Sequence, residues 1–312
     1  MLAATLLLIS AVIVGSIAPL VLQRIDVTRH EPSVLLVAWL SAMAGVFVAV
    51  ACSVVSFLLP EHGVDLIPED MMLHQHWHSI SHGAPPIVEC VAGLMEAVLL
   101  AAGLTWLATR IVRVTRHQVR MADSHAALLR IVGELDPDAP DVLRLGEDEP
   151  IAFSLRGTTG LIVVTAGVFQ LGDSATAAVL AHERAHLRWR HHTLTLWIRV
   201  LGDSLSFAPL FRHAPPAVAE LIELCADGEA ARECGDDAVR SALLEVRMRG
   251  APAGGLAMAD RAVDRRLLRL ARRRDGRSSR TKRVGMRLVA GSLAVSIPIH
   301  LTVTLLQIAA IG

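Results

Sequence analysis

The chain has 312 residues, 53% of them apolar, with a mean hydropathy of +0.49, and its 30 basic and 30 acidic residues cancel. Soluble domains average about 45–50% apolar, and the excess here is gathered into a few blocks, which argues against one greasy core and for membrane spans. The charge balance gives no ground to expect a nucleic-acid partner, and Cys52, Cys90, Cys225 and Cys234 form no C-x-x-C pair, so neither a disulfide framework nor a cysteine zinc site is expected.

Spanning a bilayer takes about 20 mostly apolar residues, and four stretches qualify: 2–22, 34–59, 87–111 and 288–311. The first has no basic leader and no small-x-small cleavage site, so it is expected to be retained as a span. The loop 60–86 carries no Lys or Arg, whereas Arg24 and Arg29 follow the first span. Segment 112–286 is flanked by Arg110, Arg113, Arg116 and Arg120 at one end and by a cluster from Arg272 to Arg287 at the other. Basic residues stay cytoplasmic. The expected map is therefore a mainly α polytopic membrane protein in three parts. Residues 1–111 hold three transmembrane helices with an outer loop, 112–286 form a cytoplasmic α+β domain, and 287–312 are a fourth span. Both termini are then extracytoplasmic, and the basic clusters can also hold anionic lipid headgroups.

Within the cytoplasmic segment, 150–155 and 161–165 read as short strands joined by a turn with Gly157 and Gly160. Gly172-Asp173-Ser174 offers an N-cap for a helix over 175–190. The stretch 193–211 is apolar but interrupted by Arg199, Asp203 and Pro209, which predicts a buried or membrane-grazing helix. Pro215-Pro216 is expected to restart the chain before a helix over 217–233. A joint at 251–255 and a basic helix over 260–274 lead back to the bilayer.

The predicted helix over 175–190 carries His182-Glu183-Arg184-Ala185-His186. Residues four apart share a helix face, so both imidazoles can reach one ion. Glu183, one step round, is placed to take a proton from water activated there. Zinc suits two imidazoles and a carboxylate with one position left open. The carboxylate is expected from the next helix, where Glu223 and Asp227 are again four apart: Glu223 as third ligand, Asp227 as the partner of a ligand imidazole. Taken alone, that helix also reads as a solvated acidic face.

These residues resemble the gluzincin peptidases of membranes. The resemblance spans 150–192, with Ala-Val-Leu-Ala-His182-Glu-Arg-Ala-His186, and continues in Glu223-Leu-Cys-Ala-Asp227-Gly-Glu-Ala230, similar to an E-x-x-A-D-x-x-A helix. Three spans, a cytoplasmic protease and a fourth span resemble the BlaR/MecR-type sensor-transducer peptidases; HtpX-type quality-control peptidases are a second comparison. The resemblance implies a zinc endopeptidase, strand 161–165 as an edge that takes up extended substrate, and a cytosolic transcriptional repressor, or the chain itself, as substrate. With the chain ending at Gly312, no extracellular penicillin-binding sensor follows, so direct beta-lactam sensing is not expected. The chain also has no Tyr, so no phenol can stabilise the oxyanion. Arg266, in an Arg-Leu-Leu-Arg-Leu stretch similar to an Arg-Ile-x-x-Leu element of related peptidases, is the catalytic substitute expected from the resemblance, with His213 second.

The outer loop carries His74, His76, His78 and His82, a set able to capture an extracytoplasmic metal ion or, equally, an ordinary polar loop. Glu96 and His300 lie deep in expected spans and either pair with each other or, for Glu96, bond neutral to backbone. A non-catalytic metal-binding receptor stays open beside the enzyme.

Overall fold

A computed structural model describes residues 2–58, 86–249 and 256–274. The span expected at 288–311, the outer-loop histidines, the joint at 251–255 and His300 lie outside those residues. Helices α1 (Leu2–Arg24), α2 (Pro32–Leu58) and α3 (Pro86–Val132) come first. Three windows in them, Leu7–Arg24, Pro32–Val55 and Ala97–Val132, are long and apolar enough to cross a membrane. Helix α3 has 47 residues, about 70 Å at 1.5 Å per residue. It therefore does not stop at the expected boundary near 111, but runs on to form one layer of the domain that follows.

That domain holds a four-stranded sheet, β1 (Glu134–Leu135), β2 (Val142–Leu145), β3 (Ala152–Arg156) and β4 (Gly160–Thr165), ordered β1-β2-β4-β3. β4 runs antiparallel to β3, with Ser154 opposite Ile162, and parallel to β2, with Val142 opposite Ile162. Alternate β4 residues serve opposite faces. Leu161 and Val163 pack with Leu143 under Ala126 of α3, and Ile162 and Val164 pack with Val142 against Val179, Leu180 and Leu187. A strand covered on both faces reads as a continuous apolar run, which is why β4 was legible. It is, however, flanked by strands on both sides, so the expectation that 161–165 forms the sheet edge is corrected: the edge is β3. The reason is β2, which pairs through only four residues inside a Pro- and Asp-rich stretch too short to show a period.

The β3–β4 turn is tied to α3, because Asp123 accepts hydrogen bonds from the Thr158 backbone N–H and hydroxyl, both at 2.7 Å. Gly157 permits the approach; a Cβ there would meet the Asp123 carboxylate.

After α4 (Ala166–Phe169) come α5 (Asp173–Arg188), α6 (His191–Ser204), α7 (Pro209–Cys234), α8 (Asp236–Arg249) and α9 (Leu256–Arg274). α5 starts two residues before the expected 175, behind Gly172 at φ 90° with no side-chain cap bond, and ends at Arg188 rather than at 190. The expected break at Pro215-Pro216 does not occur: both prolines lie inside α7. An interior proline costs a helix about 3 kcal/mol. Here Leu210, Phe211, Ala214 and Val218 are buried against Trp39, Ala42 and Met43 of α2 and Ile198 of α6, and that core offsets the forfeited hydrogen bonds. Phe211 stacks edge-on to Phe47, with centroids 5.4 Å apart. Gly202 of α6 lets Pro215 seat against its backbone, where a Cβ would come within 2.5 Å of the ring. Thus α7 has its first half packed on the apolar helices and its second half in the domain.

Candidate metal centre

The second half of α7 meets α5 through alanines. Ala175, Ala178 and Ala181 of α5 are buried together with Ala230 and Ala231 of α7. Interaxial distance follows the size of the side chains at the contact, so methyl groups bring these backbones close. On α5, His182 and His186 stand one turn apart; opposite them on α7 stand Glu223 and Asp227, also one turn apart.

His182 Nε2 and His186 Nε2 are 3.0 Å apart, and they lie 3.4 Å and 3.6 Å from the nearer Glu223 oxygens. Ligands at about 2.0–2.1 Å from a tetrahedral zinc would be about 3.3 Å from one another, and these three edges bracket that value. The residues fit the ion in donor type and spacing alike. His182, His186 and Glu223 are also the one metal-competent group of three found among the described residues.

Each ligand is held from behind. His182 Nδ1 lies 3.1 Å from Asp227 Oδ1. Asp227, almost fully buried, accepts two hydrogen bonds from Arg266, Nε to Oδ2 and Nη2 to Oδ1, both at 2.6 Å. A third nitrogen of Arg266 is 3.7 Å from Glu223. His186 Nδ1 is 3.3 Å from Nδ1 of buried His191. Carboxylates and imidazoles in such outer positions orient ligands and tune their basicity.

The electrostatics follow from this packing. Burial disfavours charge on His182, yet the Asp227 and Glu223 carboxylates outweigh it and lift its pKa to about 9. Burial and the neighbouring His182 cation push His186 down to about 3, and burial holds His191 at about 4. Against the penalty of burial, Arg266 and His182 keep Asp227 ionised, with its pKa near 2, and His182 does the same for Glu223. Two ionised carboxylates and a neutral His186 are what a divalent cation requires; only His182 has a proton to give up.

Glu183 is half-buried on α5, close enough for its charge to be felt by His192 and Arg266. His213 lies ten residues before Glu223 on the same helix, about 15 Å along its axis, away from the cluster. His191, His192 and Ser154 were not legible as site residues. At five and six positions beyond His186 the two histidines would leave the shared face of a continuous helix. The chain instead breaks at Arg190, whose φ of 54° is the one positive value at a non-glycine among the described residues. That turn starts α6 with His191 facing back to His186 and with His192 Nε2 2.9 Å from Ser154 Oγ of β3. The signal for it was the pair of adjacent histidines after Trp189-Arg190.

Beside the donors a cavity of about 430 Å³ opens between α3, β3, α6 and α7, and His186, Glu223 and residues Ser154 to Arg156 line it. None of Cys52, Cys225 and Cys234 belongs to the cluster. Neither a curated protein nor a solved structure matches the chain. The family model described as Peptidase family M48 matches residues 120–223, a segment that runs from α3 through the sheet and α5 to Glu223 and supports a metallopeptidase of that family.

Proposed function

We propose that this protein is an integral membrane zinc metalloendopeptidase working on the cytoplasmic side of the bilayer. The observation that carries the reading is the set of three donor-to-donor distances among His182, His186 and Glu223, on helices locked together by alanines. His182, His186 and Glu223 hold the ion; when bound, zinc supplies a Lewis acid that acidifies water and polarises a carbonyl. Glu183 receives the proton of the attacking water and delivers it to the leaving amine. The free edge of β3 accepts the substrate as an added strand, since Ser154 to Arg156 border the cavity beside the donors. Arg266 works as a positioning residue that holds Asp227 and Glu223, a role supported by its two short hydrogen bonds to Asp227.

The cytoplasmic placement rests on the basic residues flanking 112–286. Regulated cleavage of a cytosolic repressor, or of the chain itself, is supported by α9. Its Arg269 donates to the Val27 and His30 carbonyls of the α1–α2 loop and pairs with Glu31, while Arg272 bonds Asp26 and Thr28. One helix thereby joins a loop between apolar helices to Asp227 of the metal centre.

The test is Glu183→Gln in the full chain. Zinc content should stay at that of the wild type while cleavage is lost; unchanged cleavage would remove the enzyme reading. Proteomic comparison of cells carrying each form then separates the roles. Accumulation of one repressor supports signalling, and a broad set of membrane proteins supports quality control instead.

A further inference from the structure

The cavity beside the donors has an uneven charge. Of its lining residues Glu223 is the one carboxylate, and that carboxylate faces the two histidine ligands. Two guanidiniums line it as well: Arg156 at the end of edge strand β3 and Arg199 on α6. Three imidazoles, His186, His191 and His192, complete its polar wall. Arg156 is half-buried and gives one N–H to the Leu187 carbonyl at 2.9 Å. Burial and the nearby Arg190 cation both work against its charge. Among the described residues neither Arg156 nor Arg199 has a carboxylate partner. This contrasts with α9, where Arg265, Arg266, Arg269, Arg272 and Arg273 all pair with acids.

A guanidinium taken partly out of water without a counterion is costly unless a ligand brings one, and its fork matches a carboxylate at two points. Arg156 is such a fork, on the strand that would pair with a substrate, and the exposed Arg199 adds a second unpaired guanidinium on α6 across the same cavity, both beside the position where a substrate would be cut. From this juxtaposition we infer that the cavity is a specificity pocket for a substrate carboxylate, with Arg156 and Arg199 as the residues that recognise it. The occupant is a peptide residue with an acidic side chain, bound next to the scissile bond. This inference rests on the peptidase reading for the word substrate, but the pocket's preference can be measured without cleavage.

The experiment uses the full chain with Glu183→Gln, purified in detergent and loaded with zinc, and reads equilibrium binding of fluorescent extended peptides by anisotropy. Three peptides share one backbone sequence: one with an internal Glu and an amidated C-terminus, one with Gln in its place and amidated, and one with Gln and a free C-terminal carboxylate. The Glu peptide should bind at least tenfold more tightly than the amidated Gln peptide. Arg199→Gln should remove most of that ratio, and Arg199→Glu should reverse it in favour of a Lys peptide. Arg156→Gln should act in the same direction; Arg199, being exposed, carries the test even where the Arg156 variant does not fold. Preference for the free C-terminus over internal Glu keeps the carboxylate pocket and moves its source to the chain end. Equal affinity for all three peptides, or a Glu preference that survives Arg199→Glu, overturns the inference. If the Glu preference holds while the parent chain with Glu183 intact cleaves none of the peptides, the pocket stands and the peptidase reading falls.

Discussion

Replacing Asp227 by Asn tests whether the metal centre is held from outside its ligands. The change keeps the shape of a buried side chain but removes the charge that faces His182 Nδ1 at 3.1 Å and receives two hydrogen bonds from Arg266 at 2.6 Å. Loss of such a ligand-orienting partner lowers metal affinity by about 10–100-fold, or about 1.4–2.8 kcal/mol at 1.4 kcal/mol per tenfold. Stability should fall too, because orphaning a buried cation costs about 3–5 kcal/mol. Glu223, 3.7 Å from Arg266, is available to take the cation over, which places the stability loss at the low end of that range and the zinc loss at the high end, since Glu223 is then drawn from the donors. Chelator competition gives the zinc affinity and thermal unfolding in detergent gives the stability. Adding Arg266→Met to Asp227→Asn removes the orphaned cation and should restore part of the stability while zinc affinity stays low. Zinc affinity within threefold of the wild type in Asp227→Asn would show that His182 needs no support from Asp227.

In metal-free protein His182, at about 9, carries a proton at neutral pH, whereas His186, at about 3, does not. Zinc binding should therefore release one proton, and affinity should rise about tenfold per pH unit up to about pH 9. Calorimetry in buffers of different ionisation heat measures the release, and zero or two protons would contradict the assignment. Because its folded value lies above the ordinary imidazole value of 6.5, His182 stabilises metal-free protein fully below pH 6.5, and that contribution fades as pH rises through about 9; chemical denaturation across that window reads it. Ala178→Leu puts three extra carbons into the α5–α7 contact, which should destabilise by about 1–3 kcal/mol and lose zinc, readable as a lower melting temperature and lower metal content. At Arg190, φ 54°, a glycine should be neutral or stabilising by up to about 1 kcal/mol, and a valine should destabilise by about 1–3 kcal/mol; equal melting temperatures would dismiss the turn as a constraint.

Much of the architecture was readable because it is written in local periods. The apolar runs of α1, α2 and the first half of α3 exceed a bilayer's thickness, β4 is one unbroken apolar run, and the four-residue spacings at His182/His186 and Glu223/Asp227 are properties of a single helix each. Those spacings name donors, but they do not bring two helices together. That step depends on the alanines at 178, 181, 230 and 231, whose small size is informative only once it is known which helix faces which. The same limit applies to β2, too short for a period, whose parallel pairing with β4 moved the sheet edge to β3. It applies to Pro215 and Pro216, which look like a break until Gly202 and the α2 core are seen against them. Arg190's positive φ likewise turned two ordinary histidines toward the site. Local sequence supplied the donor types and their faces, since hydrogen-bonded elements impose fixed periods. Contacts distant along the chain supplied the distances between them, since packing depends on both partners at once.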